Sequence, residues 1–382
     1  MPAFHQIGHD SENLLFEAEL ARFGGAILSP LNYTPEEVKA QVVRLKDRLG
    51  FVTVLDPHLY RPQSDRLCLP SWSYYPKDVD TADLGSGTWW AGLVDAVAAS
   101  AVDVGPTAVC SPAIVPKVFS EDFYLDLVNN GNRLEAALRG TQVSPMLTVV
   151  VNLPELSALD RVMSIASIVS RCRTQDCLLV MVSTAEPRRE LADPEELKGV
   201  MRLIATLEGG GQHVTVGFSS SDMILWKAAG ATNCATGKFF NLRRFTLSRF
   251  DEPGGGGGQL EYWAEESLLA FLRQSDLLRI QARELLSDAS KANPYKDPIL
   301  SGIPDKKRWL ALGWRQFMYW FAETEYRLST GAVSAEELIR TADDNWAKVE
   351  AAAPPLFMEE RQNDGSWVRQ WRRALAEFPY FR

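Results

Sequence analysis

The sequence predicts an α/β fold, because short apolar runs alternate with amphipathic helical stretches along most of the chain. The apolar runs are continuous rather than alternating, as expected for parallel strands that are buried on both faces. A series of such βα units favours a (β/α)8 TIM-like barrel over the alternative, a doubly wound open parallel sheet. The predicted strands lie at 24–33, 51–60, 107–115, 146–154, 177–186, 213–222, 231–237 and 259–265.

Capping signals place the first helix between two of these strands. Thr34 is expected at the N-cap, with Pro35 at the first helical position and Glu37 closing a capping box. Further helices are predicted from Thr88 to Ala101 and from Ser157 to Arg171. Each of them follows a predicted strand, as a barrel of βα units requires.

Strand-like patterns cease in the last third of the chain, which reads as helices. We therefore predict a TIM-like barrel over residues 1–275 and an α-helical C-terminal extension over 276–382. The extension includes a helix at 305–328 with aromatic residues on more than one face. A second helix is opened by Ser334, which forms a capping box with Glu337.

Composition and charge exclude several classes of function. The net charge of −9 argues against a surface that coats nucleic acid, since such binding depends on phosphate neutralisation. The chain has no CxxC pair and no HExxH motif, so we expect no metal site and no cofactor. It shows no secretory leader pattern and no apolar run of about 18 residues, so a cytoplasmic protein without a membrane segment is expected. Five scattered cysteines are expected to be reduced thiols: Cys68, Cys110, Cys172, Cys177 and Cys234.

Polar residues at the carboxyl ends of the strands are the candidates for catalysis, because TIM-barrel active sites form there. Asp56 follows the apolar run VTVL and precedes a proline, which suits a general base, a nucleophile or a hydrogen-bond acceptor. The alternative is that Asp56 caps the following turn. His58 is either a second catalytic group or a turn histidine, and Asp222 ends a later strand.

Two more candidates end the intervening strands. Asn152 ends the very apolar strand LTVVV, and Glu186 ends the strand after it. Glu186 is expected either to face Asp56 across the barrel mouth or to form a surface ion pair with Arg188 or Arg189. The predicted catalytic set is Asp56, His58, Asn152, Glu186 and Asp222.

The segment CATGKFFNLRRF at 234–245 combines small residues with cations. After a late barrel strand such a loop commonly binds phosphate, with glycine allowing close backbone approach and a short helix directing its N–H groups at the anion. The alternative is an ordinary connection with solvated basic residues, and no Walker A or GxGxxG pattern is present. The predicted ligand- or phosphate-binding residues are Thr236, Gly237, Lys238, Arg243 and Arg244.

The stretch VTVGFSSSDMILWKAAGATNCATG resembles the late barrel strands of the tRNA-guanine transglycosylase superfamily. VLDPHLY is similar to that family's early strand ending in aspartate. The resemblance covers the barrel region alone, and the family's Asp-Ser-Gly-Gly continuation and cysteine-rich zinc motif are absent. It implies that Asp56 is the surviving acid. Asn233 or Thr236 stands near the position of the family's nucleophilic aspartate, so the family's covalent route of base exchange is not implied.

Two functions fit these features. The first is a TIM-barrel enzyme acting on a phosphate-bearing substrate, with nucleotides or nucleic-acid bases as one class. Asp56 would then be the acid, base or nucleophile, and Lys238 with Arg243 would hold phosphate. The alternative is a non-catalytic barrel that serves as a protein- or nucleic-acid-interaction subunit of a larger complex, with a protein partner on the aromatic C-terminal helices. The segment from Arg61 to Asp80 is expected to be a lid, and the glycine run at 252–260 a mobile loop.

Overall fold

A computed structural model describes residues 3–62, 65–251, 259–352, 359 and 363–378. The predicted glycine-rich loop at 252–260 lies outside these residues as far as residue 258. Within the described residues, no helix is both long enough and apolar enough to cross a bilayer.

Eight parallel strands close into a barrel in the order in which they occur along the chain. Closure is made by the first and last strands, since Phe4 pairs with Ala235 and His5 with Thr236. This topology confirms the predicted (β/α)8 TIM barrel. The strands are β1 (Phe4–Gln6), β2 (Gly25–Leu28), β3 (Val52–Leu55), β4 (Ala108–Cys110), β5 (Ser144–Asn152), β6 (Asp176–Val182), β7 (His213–Val216) and β8 (Asn233–Thr236).

Helices surround the barrel and follow the strands from β2 to β7. Two 3₁₀ turns, Glu12–Phe16 and Ala18–Leu20, take the place of a helix after β1. The predicted capping box of the first helix is confirmed, because Thr34 and Glu37 each accept the other's backbone N–H. The helices are α1 (Pro35–Lys46), α2 (Thr81–Leu84), α3 (Gly87–Val104), α4 (Glu121–Ala137), α5 (Leu159–Val169), α6 (Pro194–Gly209) and α7 (Met223–Ala228).

The barrel has eight strands, as predicted, but one of its strands was not predicted and one predicted strand lies outside it. No apolar run marks β1, because His5 and Gln6 are polar although both are buried in the barrel. The predicted eighth strand at 259–265 is not part of the barrel. Its last residues form β9 (Trp263–Glu265), which pairs antiparallel with β10 (Ala270–Leu272). The cation-rich loop that starts at Gly237 therefore follows the last barrel strand, β8.

The C-terminal helices pack against the barrel. They are α8 (Gln274–Ala282), α9 (Asp288–Ala292), α10 (Lys296–Gly302), α11 (Leu310–Ser329), α12 (Ala335–Glu350) and α13 (Ser366–Glu377). Helix α11 contacts α7, β8 and β9, and α13 contacts α6 and α7. Ser334 caps α12 by accepting the backbone N–H of Glu337. The division of the chain at residue 275 stays a prediction.

The aromatic residues of α11 face inward. Phe317, Trp320 and Phe321 are buried, as is Trp309 just before the helix. The exposed aromatic surface on which the interaction hypothesis rested is therefore reduced to Tyr326, which is 40% exposed, and to partly buried side chains. A protein partner on these helices remains a prediction without that support.

Candidate functional site

A cavity of about 460 Å³ opens at the carboxyl ends of the barrel strands. Its walls come from the loops after β1, β2, β3, β6 and β8 and from Trp314 of α11. We call it the cationic cavity, because among the described residues that line it there are five Lys or Arg side chains and no carboxylate. The cations are Arg66, Arg188, Lys238, Arg243 and Arg249.

Two of the predicted phosphate-binding residues line this cavity. The Lys238 ammonium donates to the Asp10 carbonyl at 3.0 Å and lies 4.8 Å from the centre of the Trp314 ring. The Arg243 guanidinium donates to the carbonyls of Gly237, at 3.1 Å, and Lys238, at 2.8 Å. It also stacks 3.5 Å from the centre of the Phe317 ring. Burial lowers the pKa of both cations.

Arg249, which the sequence analysis missed, completes the set. Its side chain is buried, and its Nη1 has no hydrogen-bond partner. Its backbone carbonyl accepts a hydrogen bond from Arg66, whose side chain crosses from the loop after β3. Burial lowers the pKa of Arg249 to about 10, against the opposing effect of the Asp56 carboxylate.

The cavity favours anions for a physical reason. Among the described residues, Lys238, Arg243 and Arg249 are buried or nearly so, yet no carboxylate forms a salt bridge with any of them. Burying a charge without a salt-bridge partner costs free energy, so an anion that enters here offsets that cost. Arg188 lies nearer the solvent, where it pairs with Glu186 at 2.6 Å and donates to Tyr262 at 3.1 Å.

The remaining predicted anion-binding residues, Thr236, Gly237 and Arg244, do not line the cationic cavity. A Cβ on Gly237 would lie 2.8 Å from the Gln6 carbonyl, so this tight turn requires glycine. Thr236 is completely buried, and its hydroxyl has no hydrogen-bond partner. Arg244 points away from the cationic cavity and pairs with Asp222 at 3.4 Å. The predicted short helix is only a 3₁₀ turn, Phe240–Leu242, so it supplies no helix dipole.

Asp56 and His58 come together beneath the mouth of the barrel. The Asp56 carboxylate accepts the His58 backbone N–H at 3.1 Å and the Tyr60 hydroxyl at 2.9 Å. Nε2 of His58 lies 3.4 Å from the same carboxylate, and the φ of +55° at His58 is unusual for a residue other than glycine. Burial raises the pKa of Asp56 to about 6 and lowers that of His58, so a neutral imidazole faces the acid.

An aromatic plug covers this pair. We define the plug as Phe245 and Phe250, both from the loop after β8. The ring centre of Phe245 lies 5.0 Å from that of Tyr60, and the ring centre of Phe250 lies 6.1 Å from that of His58. The Asp56 side chain is consequently only 2% exposed. The acid pair and the cationic cavity are separated by Arg249, which belongs to the same loop as the plug.

The other three predicted catalytic residues do not join Asp56. Asn152 donates to Glu155 at 3.0 Å. Glu186 is 42% exposed and pairs with Arg188, so the surface ion pair was the correct interpretation and the pairing across the mouth was wrong. Asp222 is buried, accepts the Ser220 backbone N–H at 2.8 Å and pairs with Arg244.

The segment from Arg61 to Asp80 packs onto neighbouring loops, with residues 63–64 outside the described part. The Trp72 indole donates to the Tyr33 carbonyl and the Tyr74 hydroxyl to the Pro57 carbonyl. Both side chains are buried. Together with Arg66, they place this segment beside the cationic cavity, and its predicted opening as a lid stays untested.

A second cavity, of about 640 Å³, adjoins the cationic cavity and shares Arg188, Phe240 and Tyr262 with it. Glu190, also missed from the sequence, lines it with a side chain that is 6% exposed. The Glu190 carboxylate lies 3.7 Å from Arg244. Among the described residues no cluster of three or more His, Cys, Asp or Glu could hold a metal ion.

Comparison with known proteins adds the fold alone. No protein-family model matches the chain, and no curated protein is significantly similar to it. A type I 3-dehydroquinate dehydratase from Clostridium difficile aligns with a TM-score of 0.38 and 7% identity, over 65% of this chain and 89% of that one. A GH18 chitinase from Pseudoalteromonas aurantia gives 0.38 and 11%, over 63% and 95%. An L-ribulose 3-epimerase gives 0.35 and 14%, over 62% and 80%.

TM-scores this low carry no argument about activity, since one barrel fold hosts many unrelated functions. None of the three is a transglycosylase, and the resemblance to that superfamily stays a prediction.

Proposed function

We propose that this chain is a TIM-barrel enzyme whose substrate carries a phosphate group that binds in the cationic cavity. The observation that carries the proposal is the set of buried cations without carboxylate partners at the carboxyl ends of the strands. Barrel enzymes commonly bind phosphate in the loops after their last two strands, which is where Lys238 and Arg249 lie. Arg249 offers an unpaired Nη1, and Lys238 a point charge.

Asp56 is the proposed acid–base residue. A carboxyl whose pKa lies near 6 can both hold and release a proton near neutral pH, as general acid–base catalysis requires. Arg249 lowers the pKa of Asp56, so a phosphate that neutralises Arg249 would raise it and favour the protonated acid. Contact between Asp56 and a substrate requires that Phe245 or Phe250 move aside.

Transglycosylase-like chemistry on a nucleotide is the narrower form of this proposal. Its support is the sequence resemblance and the acid at the end of β3, whereas β8 offers Thr236 rather than a nucleophilic carboxylate. The interaction-subunit alternative would rest on exposed aromatic residues, most of which α11 buries.

The test is isothermal titration calorimetry with ribose 5-phosphate and with inorganic phosphate on the purified chain. The variant Lys238→Met removes one charge from the cavity. Lys39→Met, on exposed α1, removes the same charge elsewhere and serves as the matched control. We expect Lys238→Met to weaken binding about 10- to 100-fold, because hydrogen bonds to charged groups contribute about 1.5–3 kcal/mol. No binding by the wild type, or equal loss in both variants, contradicts the proposal.

A further inference from the structure

We propose that the second cavity binds a cyclic amide or imide ring that belongs to the same phosphate-bearing ligand, so that the full ligand resembles a pyrimidine nucleoside monophosphate with an oxo-substituted base. This inference rests on the proposed phosphate site. The two cavities share Arg188, Phe240 and Tyr262 as walls, so one molecule can place its phosphate in the first and its ring in the second.

Two buried polar groups of the second cavity have no hydrogen-bond partner. The first is the Glu190 carboxyl, neither oxygen of which makes a hydrogen bond of normal geometry, although Ser221 and Arg244 lie near it and the side chain is only 6% exposed. The second is the indole N–H of Trp367, a residue that is also 6% exposed. Buried polar groups in folded proteins are nearly always hydrogen-bonded, so two exceptions lining one cavity point to a ligand that satisfies them.

Among the described residues, Trp226 and Trp367 have a buried indole N–H without a hydrogen-bond partner, and of these two only Trp367 lines one of the two cavities. Seven other tryptophans donate their indole N–H to an acceptor within the protein: Trp72, Trp90, Trp263, Trp309, Trp320, Trp346 and Trp371. Trp367 is fixed by its edge-to-face contact with Trp346, at 5.7 Å between ring centres. The nitrogen itself is closed to solvent, so this N–H donates to a ligand acceptor only when a neighbouring side chain moves aside.

Glu190 supplies the complementary acceptor. Arg244 lies nearer to Asp222, at 3.4 Å, than to Glu190, at 3.7 Å, so one guanidinium is shared by two buried carboxyls. Burial raises the pKa of Glu190 to about 8, so near neutral pH this carboxyl is protonated and its carbonyl oxygen can accept a ligand N–H. An acceptor and a donor in one cavity match a group that carries N–H next to C=O.

The remaining walls fit a flat ring. Phe240, Tyr262, Phe271 and Trp367 all line the second cavity, and the ring centres of Phe240 and Phe271 lie 5.0 Å apart. Aromatic walls bind planar groups through their faces and edges while polar groups set the orientation. A cyclic imide such as uracil satisfies both requirements, whereas a sugar phosphate has no planar ring to place between these walls.

The experiment compares uridine 5′-monophosphate with ribose 5-phosphate by calorimetry on the full chain. The wild type should bind the nucleotide at least about tenfold more tightly, since two unpaired polar groups become satisfied. Trp367→Phe keeps the aromatic wall but removes the donor, and Glu190→Met removes both oxygens at similar volume. In each variant the nucleotide should bind only about threefold more tightly than ribose 5-phosphate, or less, and the affinity for ribose 5-phosphate should be unchanged.

Trp90→Phe is the matched control, because Trp90 donates its N–H far from the cavities, to the Leu84 carbonyl. It should keep the full advantage. If ribose 5-phosphate binds and the nucleotide binds no tighter, this inference is wrong while the phosphate site stands. If Trp367→Phe and Glu190→Met both keep the wild-type preference for the nucleotide over ribose 5-phosphate, the proposed recognition by these two residues is wrong. If neither compound binds to the wild type, the proposed function itself fails.

Discussion

Asp56 beneath the plug and Arg249 in the cationic cavity beside it are both buried, but their hydrogen-bonding groups are satisfied to very different degrees. Both oxygens of Asp56 accept hydrogen bonds, and Phe245 and Phe250 cover them. In the cavity, Arg249 is equally buried yet has an unpaired Nη1 and no carboxylate partner. A buried group whose bonds are complete stabilises the fold, whereas an incomplete one is available to a ligand. Asp56, the strongest catalytic candidate in the sequence, is thus the residue of the site that is most completely covered and hydrogen-bonded.

The largest effect on stability should come from removing an aromatic ring of the plug that covers Asp56. Phe245→Ala removes a ring that contacts Tyr60, Phe218 and Phe250, so the free energy of unfolding should fall by about 3–5 kcal/mol. Urea unfolding followed by circular dichroism measures it. Phe16→Ala, at a side chain that is 43% exposed, is the control and should change stability by about 0.5 kcal/mol or less. A loss below about 1 kcal/mol at Phe245 would mean that the plug is not packed.

The acid beneath the plug should make stability depend on pH. The pKa of Asp56 is raised from 3.8 to about 6, so the folded state binds the proton more tightly than the unfolded state. The stability it contributes is complete below about pH 4 and is lost as pH rises through 6, about 3 kcal/mol in all. Comparing the wild type with Asp56→Asn by urea unfolding at several pH values isolates this effect. Parallel curves for the two proteins would show that Asp56 titrates normally.

Substitutions in the cationic cavity should change ligand affinity more than they change the stability of the fold. Arg249→Met should weaken binding of ribose 5-phosphate about 10- to 100-fold, because it removes a charged donor whose Nη1 has no hydrogen-bond partner. Arg139→Met is the control, since Arg139 pairs with Glu135 on the surface of α4. Calorimetry distinguishes the two. Unchanged affinity in Arg249→Met would remove Arg249 from the site.

The smallest effect on stability and binding is expected at the exposed ion pair between Glu186 and Arg188. Glu186→Gln breaks an exposed ion pair with Arg188, so stability should change by about 1 kcal/mol or less. Binding of ribose 5-phosphate should tighten by about threefold at most, because Arg188 is released toward the cavity. Weaker binding would show that Glu186 itself contacts the ligand.

Much of the fold could be predicted because buried parallel strands are continuous apolar runs. The exception, β1, contains His5 and Gln6, whose polar side chains hide a buried strand from any hydrophobic pattern. The predicted strand at 259–265 does contain β9, but its partner is β10. Local sequence specifies that a segment is extended, and the choice of partner depends on the whole fold.

The candidate site was predictable only in part. Lys238 and Arg243 were found from charge following small residues, and they line the cavity. Arg244 was misplaced because neighbouring residues leave a 3₁₀ turn in different directions. Arg249 was missed although Arg249-Phe250 repeats the pair Arg244-Phe245 five residues earlier, with both arginines buried and both phenylalanines in the plug. That repeat was the available signal.

Closure of the barrel through β1 and β8 also bears on how the chain is made. The strand at Phe4–Gln6 leaves the ribosome more than 200 residues before its partner at Asn233–Thr236. At about 5–20 residues per second, one edge of β1 therefore waits roughly ten to fifty seconds for the strand that covers it. Until then the nascent sheet presents unpaired backbone N–H and C=O groups, the feature by which strands of separate chains recognise one another. The pairing of β1 with β8 is therefore the last strand pairing of the barrel that synthesis makes possible.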